Sequence, residues 1–108
     1  MARAYRTRDY GIWERGDKGN HGLPERNASS IGMAKAALEG LEGLDLFGHH
    51  GDGSHQLLIP QGAIVRLRRA IESLLPRESA SKETDSACLS VVGYPAWAVE
   101  DRSLIERT

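Results

Sequence analysis

The chain has 108 residues, with 14 Lys and Arg against 15 Asp and Glu. Its net charge of −1 excludes both the basic profile of a nucleic-acid binder and an acidic disordered tail. Charged residues at 27% and hydrophobic ones at 40% describe an ordinary globular chain, and a single cysteine excludes an internal disulfide framework. No run of about 18 apolar residues occurs, and no apolar stretch follows the N-terminal arginines, so neither a membrane span nor a secretory signal is expected. The expected setting is cytoplasmic.

The first ten residues show no helix or strand period. Residues 11–27 contain Gly11, Gly16, Gly19, Gly22 and Pro24, a density that predicts an ordered loop, since Gly admits positive φ and Pro fixes a turn. A long loop of this kind is usually functional. A helix is predicted over about 28–47, with Asn27, Ser29 and Ser30 as candidate caps and Ile31, Ala34, Leu38 and Leu41 as its apolar stripe. Lys35, Glu39 and Glu42 fall mostly on the other side. Gly32, Gly40 and Gly43 each cost roughly 1 kcal/mol against Ala, which suggests close helix packing. Gly48 is the expected stop.

A turn-rich connector over 49–54 precedes a second helix at about 60–75, opened by Pro60 and striped by Ile64, Leu67, Ile71 and Leu74. Residues 77–85 are polar and read as a connector. The run from Ala87 to Val99 is almost continuously apolar, and a third helix at about 86–94, buried on nearly all sides, is the favoured reading. Glu100 and Asp101 then cap one more turn. A buried helix of this type needs more protein around it than two amphipathic helices supply. The 108 residues therefore read as one partial domain, a slice of a larger all-α fold.

Most candidate chemistry in the chain has a plain alternative. His49, His50 and His55 with Asp52 sit in a Gly-rich connector without paired ligand spacing, so no metal site is expected. Gly51-Asp52-Gly53 lacks the surrounding pattern of a phosphate loop, and no cofactor is expected. Cys88 lies in an apolar run and reads as an inert buried thiol. The basic stretch from Val65 to Arg69 reads as solvated surface. The Trp13-Glu14 pair is different. An indole face stacks on a sugar ring, and its apolar neighbourhood raises a carboxyl pKa so that the group can serve as a general acid. Arg15, Asp17 and Lys18 are residue types that can supply hydrogen bonds to sugar hydroxyls.

Gly11-Ile12-Trp13-Glu14 resembles the general-acid segment of glucoamylase-type glycoside hydrolases, family 15. Closer still is the resemblance to the glucoamylase-like domain of the phosphorylase b kinase regulatory subunits, α-like rather than β-like. It is carried by Asp9-Tyr10-Gly11-Ile12-Trp13-Glu14-Arg15-Gly16-Asp17-Lys18 and by Asn27-Ala28-Ser29-Ser30-Ile31-Gly32-Met33-Ala34-Lys35. Further collinear matches are Leu44-Asp45-Leu46-Phe47-Gly48, Ser73-Leu74-Leu75-Pro76-Arg77, Leu89-Ser90-Val91-Val92 and Ala98-Val99-Glu100-Asp101.

This resemblance implies a segment of an (α/α)6 toroid, the six-hairpin barrel, within a regulatory subunit acting in the control of glycogen breakdown. Implied partners are the other phosphorylase kinase subunits and calmodulin, with glucan as a ligand. Calmodulin contacts and prenylation belong, in that family, to regions outside this segment. In the hydrolases the Glu after the motif Trp is the general acid, here Glu14, and a second carboxylate roughly 6.5–9.5 Å away activates water with inversion. The family places that base beyond Thr108, so this chain is expected to be a regulatory fragment with vestigial carbohydrate binding rather than a working enzyme. A fragment of an active inverting glucan 1,4-α-glucosidase is the alternative, and a freestanding helical interaction module the second.

Overall fold

The computed structural model describes residues 1–13, 23–44, 58–60 and 62–108. After a 3-10 turn at Ala4–Arg6 come α1 (Ala28–Leu41) and α2 (Ala63–Leu74). A 3-10 turn at Ser86–Cys88 then runs into α3 (Leu89–Val92), and α4 (Arg102–Arg107) follows. Among the described residues there is no strand, only an isolated antiparallel bridge between Asp9 and Glu25.

The core lies between α1 and α2, which make the most extensive contact among the described elements, with α3 packed on α1. Ala28, Ile31, Ala34 and Leu38 face inward from α1, and Ala63, Leu67, Ala70 and Ile71 from α2. These rows follow the 3.6-residue period that brings such positions to one face. Gly32 provides a point of close approach. A Cβ built there would stand 2.8 Å from Val91 Cγ1, so only a bare α-carbon lets α3 come this near. Gly40 meets nothing within 4 Å and has no such role.

Several element limits differ from those read in the sequence. Helix α1 ends at Leu41 rather than near 47, because Gly43 takes a left-handed φ of 76° and turns the chain. Gly48, the expected stop, lies outside the described residues. Helix α2 opens at Ala63 rather than at Pro60, since Gly62 before it has a φ of 78°.

The third apolar run is not one helix over 86–94, nor is it buried all round. The α-helical part is a single turn, ended by Gly93 in an extended conformation. The chain then folds back, with Ala96 N–H donating to Ser90 O at 3.1 Å, Trp97 N–H to Gly93 O at 2.9 Å and Ala98 N–H to Val91 O at 2.8 Å. Cys88, Val91, Ala96, Ala98 and Val99 point inward, whereas Leu89, Tyr94 and Trp97 are exposed. Asp101 caps α4, its carboxylate accepting from Ser103 N–H at 2.9 Å and Leu104 N–H at 3.3 Å.

Lys35 also departs from the sequence reading. Although it falls opposite the apolar stripe, it is fully buried. Its Nζ lies 2.6 Å from both Glu39 Oε1 and Glu100 Oε1. Arg68 Nε is 3.5 Å from the other oxygen of Glu100. A buried ammonium persists only when paired in this way.

Candidate functional site: an anchored turn at the start of α1

The site begins with a backbone clasp. Asp9 N–H donates to Glu25 O at 2.8 Å and Glu25 N–H to Asp9 O at 2.9 Å, so the two ends of the Gly-rich loop are joined. Beyond the clasp, Asp9-Tyr10-Gly11 forms a tight turn. The Gly11 N–H donates to Asp9 Oδ1 at 2.7 Å, and Gly11 has a φ of 85°, a region L side chains avoid. The same Asp9 oxygen accepts from Asn27 Nδ2 at 2.8 Å and Ser30 Oγ at 2.9 Å. Asn27 Nδ2 also donates to Asp9 O and Glu25 O, both at 3.0 Å, which ties the clasp to the first residues of α1.

Glu78 sits behind this turn and is almost wholly buried. Its backbone carbonyl accepts from Ala28 N–H at 2.7 Å, and its Oε2 accepts from Ser29 N–H at 3.1 Å. Oε1 accepts from Ser29 Oγ, and Cys88 Sγ lies 3.4 Å from Oε2. The first amides of α1 are therefore satisfied by Glu78, a residue remote in sequence, while Asn27 makes no side-chain cap. Ser29 Oγ also accepts from Ile12 N–H at 3.5 Å, which links Glu78 to the turn that carries Trp13.

Burial pushes the Glu78 carboxyl above its usual range. The bonds from Ser29 and Cys88 work against that rise, and the charge of Asp85 adds to it. Burial foremost, and Glu78 next, push the Cys88 thiol up to about 12, which leaves it a proton-bearing, unreactive group. Glu25 behaves oppositely. Burial raises it, but Ser81 Oγ at 2.5 Å, Ser79 Oγ at 2.8 Å and the nearby Lys82 charge outweigh that and hold it low.

Of the residues singled out in the sequence, Trp13 is half-exposed and follows Gly11 and Ile12 around a crevice shared with Glu78, Lys82 and Asp85. Glu14, Arg15, Asp17 and Lys18 lie outside the described residues, as do His49, His50, Asp52 and His55. Among the described residues no group of three or more His, Cys, Asp or Glu is placed to hold a metal ion. No described helix is long and apolar enough to cross a membrane. Sequence reasoning assigned no role to Asp9 or Glu78. The Asp-x-Gly spacing at residues 9–11 is the signal that marks the first, since it is the pattern of a side chain closing its own turn. Glu78 carries no local signal, because Ala28 and Ser29, whose amides it satisfies, lie about fifty positions away.

Comparison with known proteins places these residues in context. The profile of glycosyl hydrolases family 15 matches residues 1–101. The chain is 55% identical over 105 residues to a probable phosphorylase b kinase regulatory subunit alpha of Drosophila melanogaster. It is 54% identical over 105 residues to the skeletal muscle isoform of that subunit from Mus musculus, and 52% identical to a probable alpha subunit of Caenorhabditis elegans. These alignments cover 96–97% of this chain and 8% of each relative, so the chain spans about one-twelfth of their length.

Proposed function

The chain belongs to glycosyl hydrolases family 15, and from that membership we propose that it is part of an α-type regulatory subunit of phosphorylase b kinase, acting in the control of glycogen breakdown and binding glucan at the Trp13 turn. The family fold is the (α/α)6 toroid, and the helical described residues are a segment of it. The partners in this reading are the other subunits of the kinase and calmodulin, in the cytoplasm.

One observation supports the carbohydrate part of the reading more than any other. A half-exposed indole stands on a turn whose backbone is fixed from two sides, by Asp9 through Gly11 and by Ser29 through Ile12. A sugar ring is bound by stacking on an aromatic face that is already in place, so that little ordering cost remains at binding. Glu14 follows directly in sequence and is the residue that the family pattern casts as general acid, retained or vestigial.

The test is titration of the full-length protein with maltooligosaccharides. Trp13→Ala should weaken binding about tenfold, the loss of a stacking contact worth roughly 1–1.5 kcal/mol. Unchanged affinity in this variant overturns glucan binding at the turn. Release of glucose by the full-length protein, abolished by Glu14→Gln, would replace the regulatory reading with the hydrolytic one.

A further inference from the structure

The two oxygens of the Asp9 carboxylate differ in their surroundings. Oδ1 is held by three donors, Gly11 N–H, Asn27 Nδ2 and Ser30 Oγ, at 2.7–2.9 Å. Oδ2 accepts no hydrogen bond from a described residue, and Asp9 forms no ion pair with one. The carboxylate is therefore locked in orientation by one oxygen while the other stays available. Asp9 lines an open hollow of about 520 Å³ together with Tyr10, Gly11, Ile12 and Ser30. That volume lies in the range of small-molecule sites, roughly 300–1,000 Å³.

Three features of the hollow indicate what it takes. Among the described residues it holds a single carboxylate, which is too few oxygens for a divalent cation. It offers a charged acceptor beside the Ser30 hydroxyl and the partly exposed Tyr10 ring, the mixture that suits a neutral polyhydroxylated ring. Tyr10, Gly11 and Ile12 line both this hollow and the crevice at Trp13, so one turn presents the two.

We infer that Asp9 is a ligand-binding residue, its Oδ2 accepting a hydrogen bond from a hydroxyl of a glucan seated in this hollow beside Trp13. This rests on the carbohydrate reading above and adds a specific subsite to it. Because the carboxylate is already oriented, binding needs no rotamer to be ordered, and an ionised acceptor gives the stronger class of hydrogen bond.

The discriminating variant is Asp9→Asn in the full-length protein. Its amide oxygen retains the three bonds at Oδ1, while the amide nitrogen turns the acceptor at Oδ2 into a donor. Titrated with maltotetraose, Asp9→Asn should bind at least tenfold more weakly with its thermal midpoint unchanged. If the midpoint falls, Tyr10→Ala, which trims the hollow and leaves the three Asp9 bonds in place, must show the same loss at an unchanged midpoint. Wild-type affinity in either stable variant overturns the inference. If Trp13→Ala weakens binding and Asp9→Asn does not, only the subsite falls. If the wild-type protein binds no maltotetraose, the subsite falls together with the carbohydrate reading.

Discussion

Glu78 carries a proton equilibrium that folding alters. Its folded carboxyl sits above the 4.5 of an ordinary Glu, chiefly because it is buried, so the folded chain holds this proton to higher pH than the unfolded chain does. Where the native state binds more protons, stability falls as pH rises. The contribution of Glu78 is thus fully present below pH 4.5 and declines as pH climbs through the folded value. Glu78→Gln should abolish that decline, which denaturant midpoints measured between pH 4.5 and 8 will show; an unaltered slope rules the assignment out. The residue-level reading was only partly available beforehand. Trp13 declared itself by its chemistry. Lys35 did not, because a helical wheel places it opposite the apolar stripe, and only the return of Glu100 from sixty-five positions away turns that side inward. Long-range partners of this kind leave no periodic trace.

The two interior glycines of α1 make opposite predictions, since they differ in what surrounds them. At Gly32 an added methyl meets Val91 Cγ1 at 2.8 Å, and a β-branched side chain has no alternative rotamer to yield cheaply. Gly32→Ala should therefore be destabilising by about 1–2 kcal/mol, the overpacking penalty less the propensity gain. Gly40 has open space around it, so Gly40→Ala should stabilise by up to about 1 kcal/mol. Equilibrium unfolding of the pair gives the comparison, and equal effects would remove Gly32 as the contact point of α1 and α3. Composition alone suggests close packing for three glycines. The structure separates them into one contact, one open position and one turn, because periodicity records which face a residue occupies and not what stands opposite it. The same limitation explains the third apolar run. Its residues alternate between the core and the surface through a fold-back after Gly93, and an unbroken hydrophobic string cannot reveal where a chain reverses.

Two polar centres, each built on one buried ionisable side chain, organise the described residues. One gathers around Glu78 and joins the N-terminal segment, the start of α1 and the 77–82 loop to the 3-10 turn before α3. The other gathers around Lys35 and joins the middle of α1 to Glu100, with Arg68 of α2 alongside. Burial raises the Glu100 carboxyl, yet the bond and charge of Lys35, with Arg68, more than reverse this and hold it below 4.5. A depressed carboxyl contributes stability above the unfolded pKa and loses it as pH falls through the folded value. Glu100 is half-exposed and Lys35 keeps Glu39 as a partner, so Glu100→Gln should cost about 0.5–1 kcal/mol at neutral pH, the scale of a solvent-screened ion pair, and the deficit should close on acidification below 4.5. Thermal unfolding at pH 7 and pH 3 tests both halves. A deficit that persists at pH 3 would show that charge is not its origin.

The clasp between Asp9 and Glu25 has a consequence for how this sector of the toroid can vary. Both ends of the intervening stretch are pinned to each other and, through Asn27, to the first turn of α1. The closure cost of such a stretch grows only logarithmically, about 0.6 kcal/mol for each doubling of its length. The helix behind it therefore does not register how many residues lie between the two anchors. An insertion between Lys18 and Leu23 should therefore cost the fold little and leave the turn that presents Trp13 where it is.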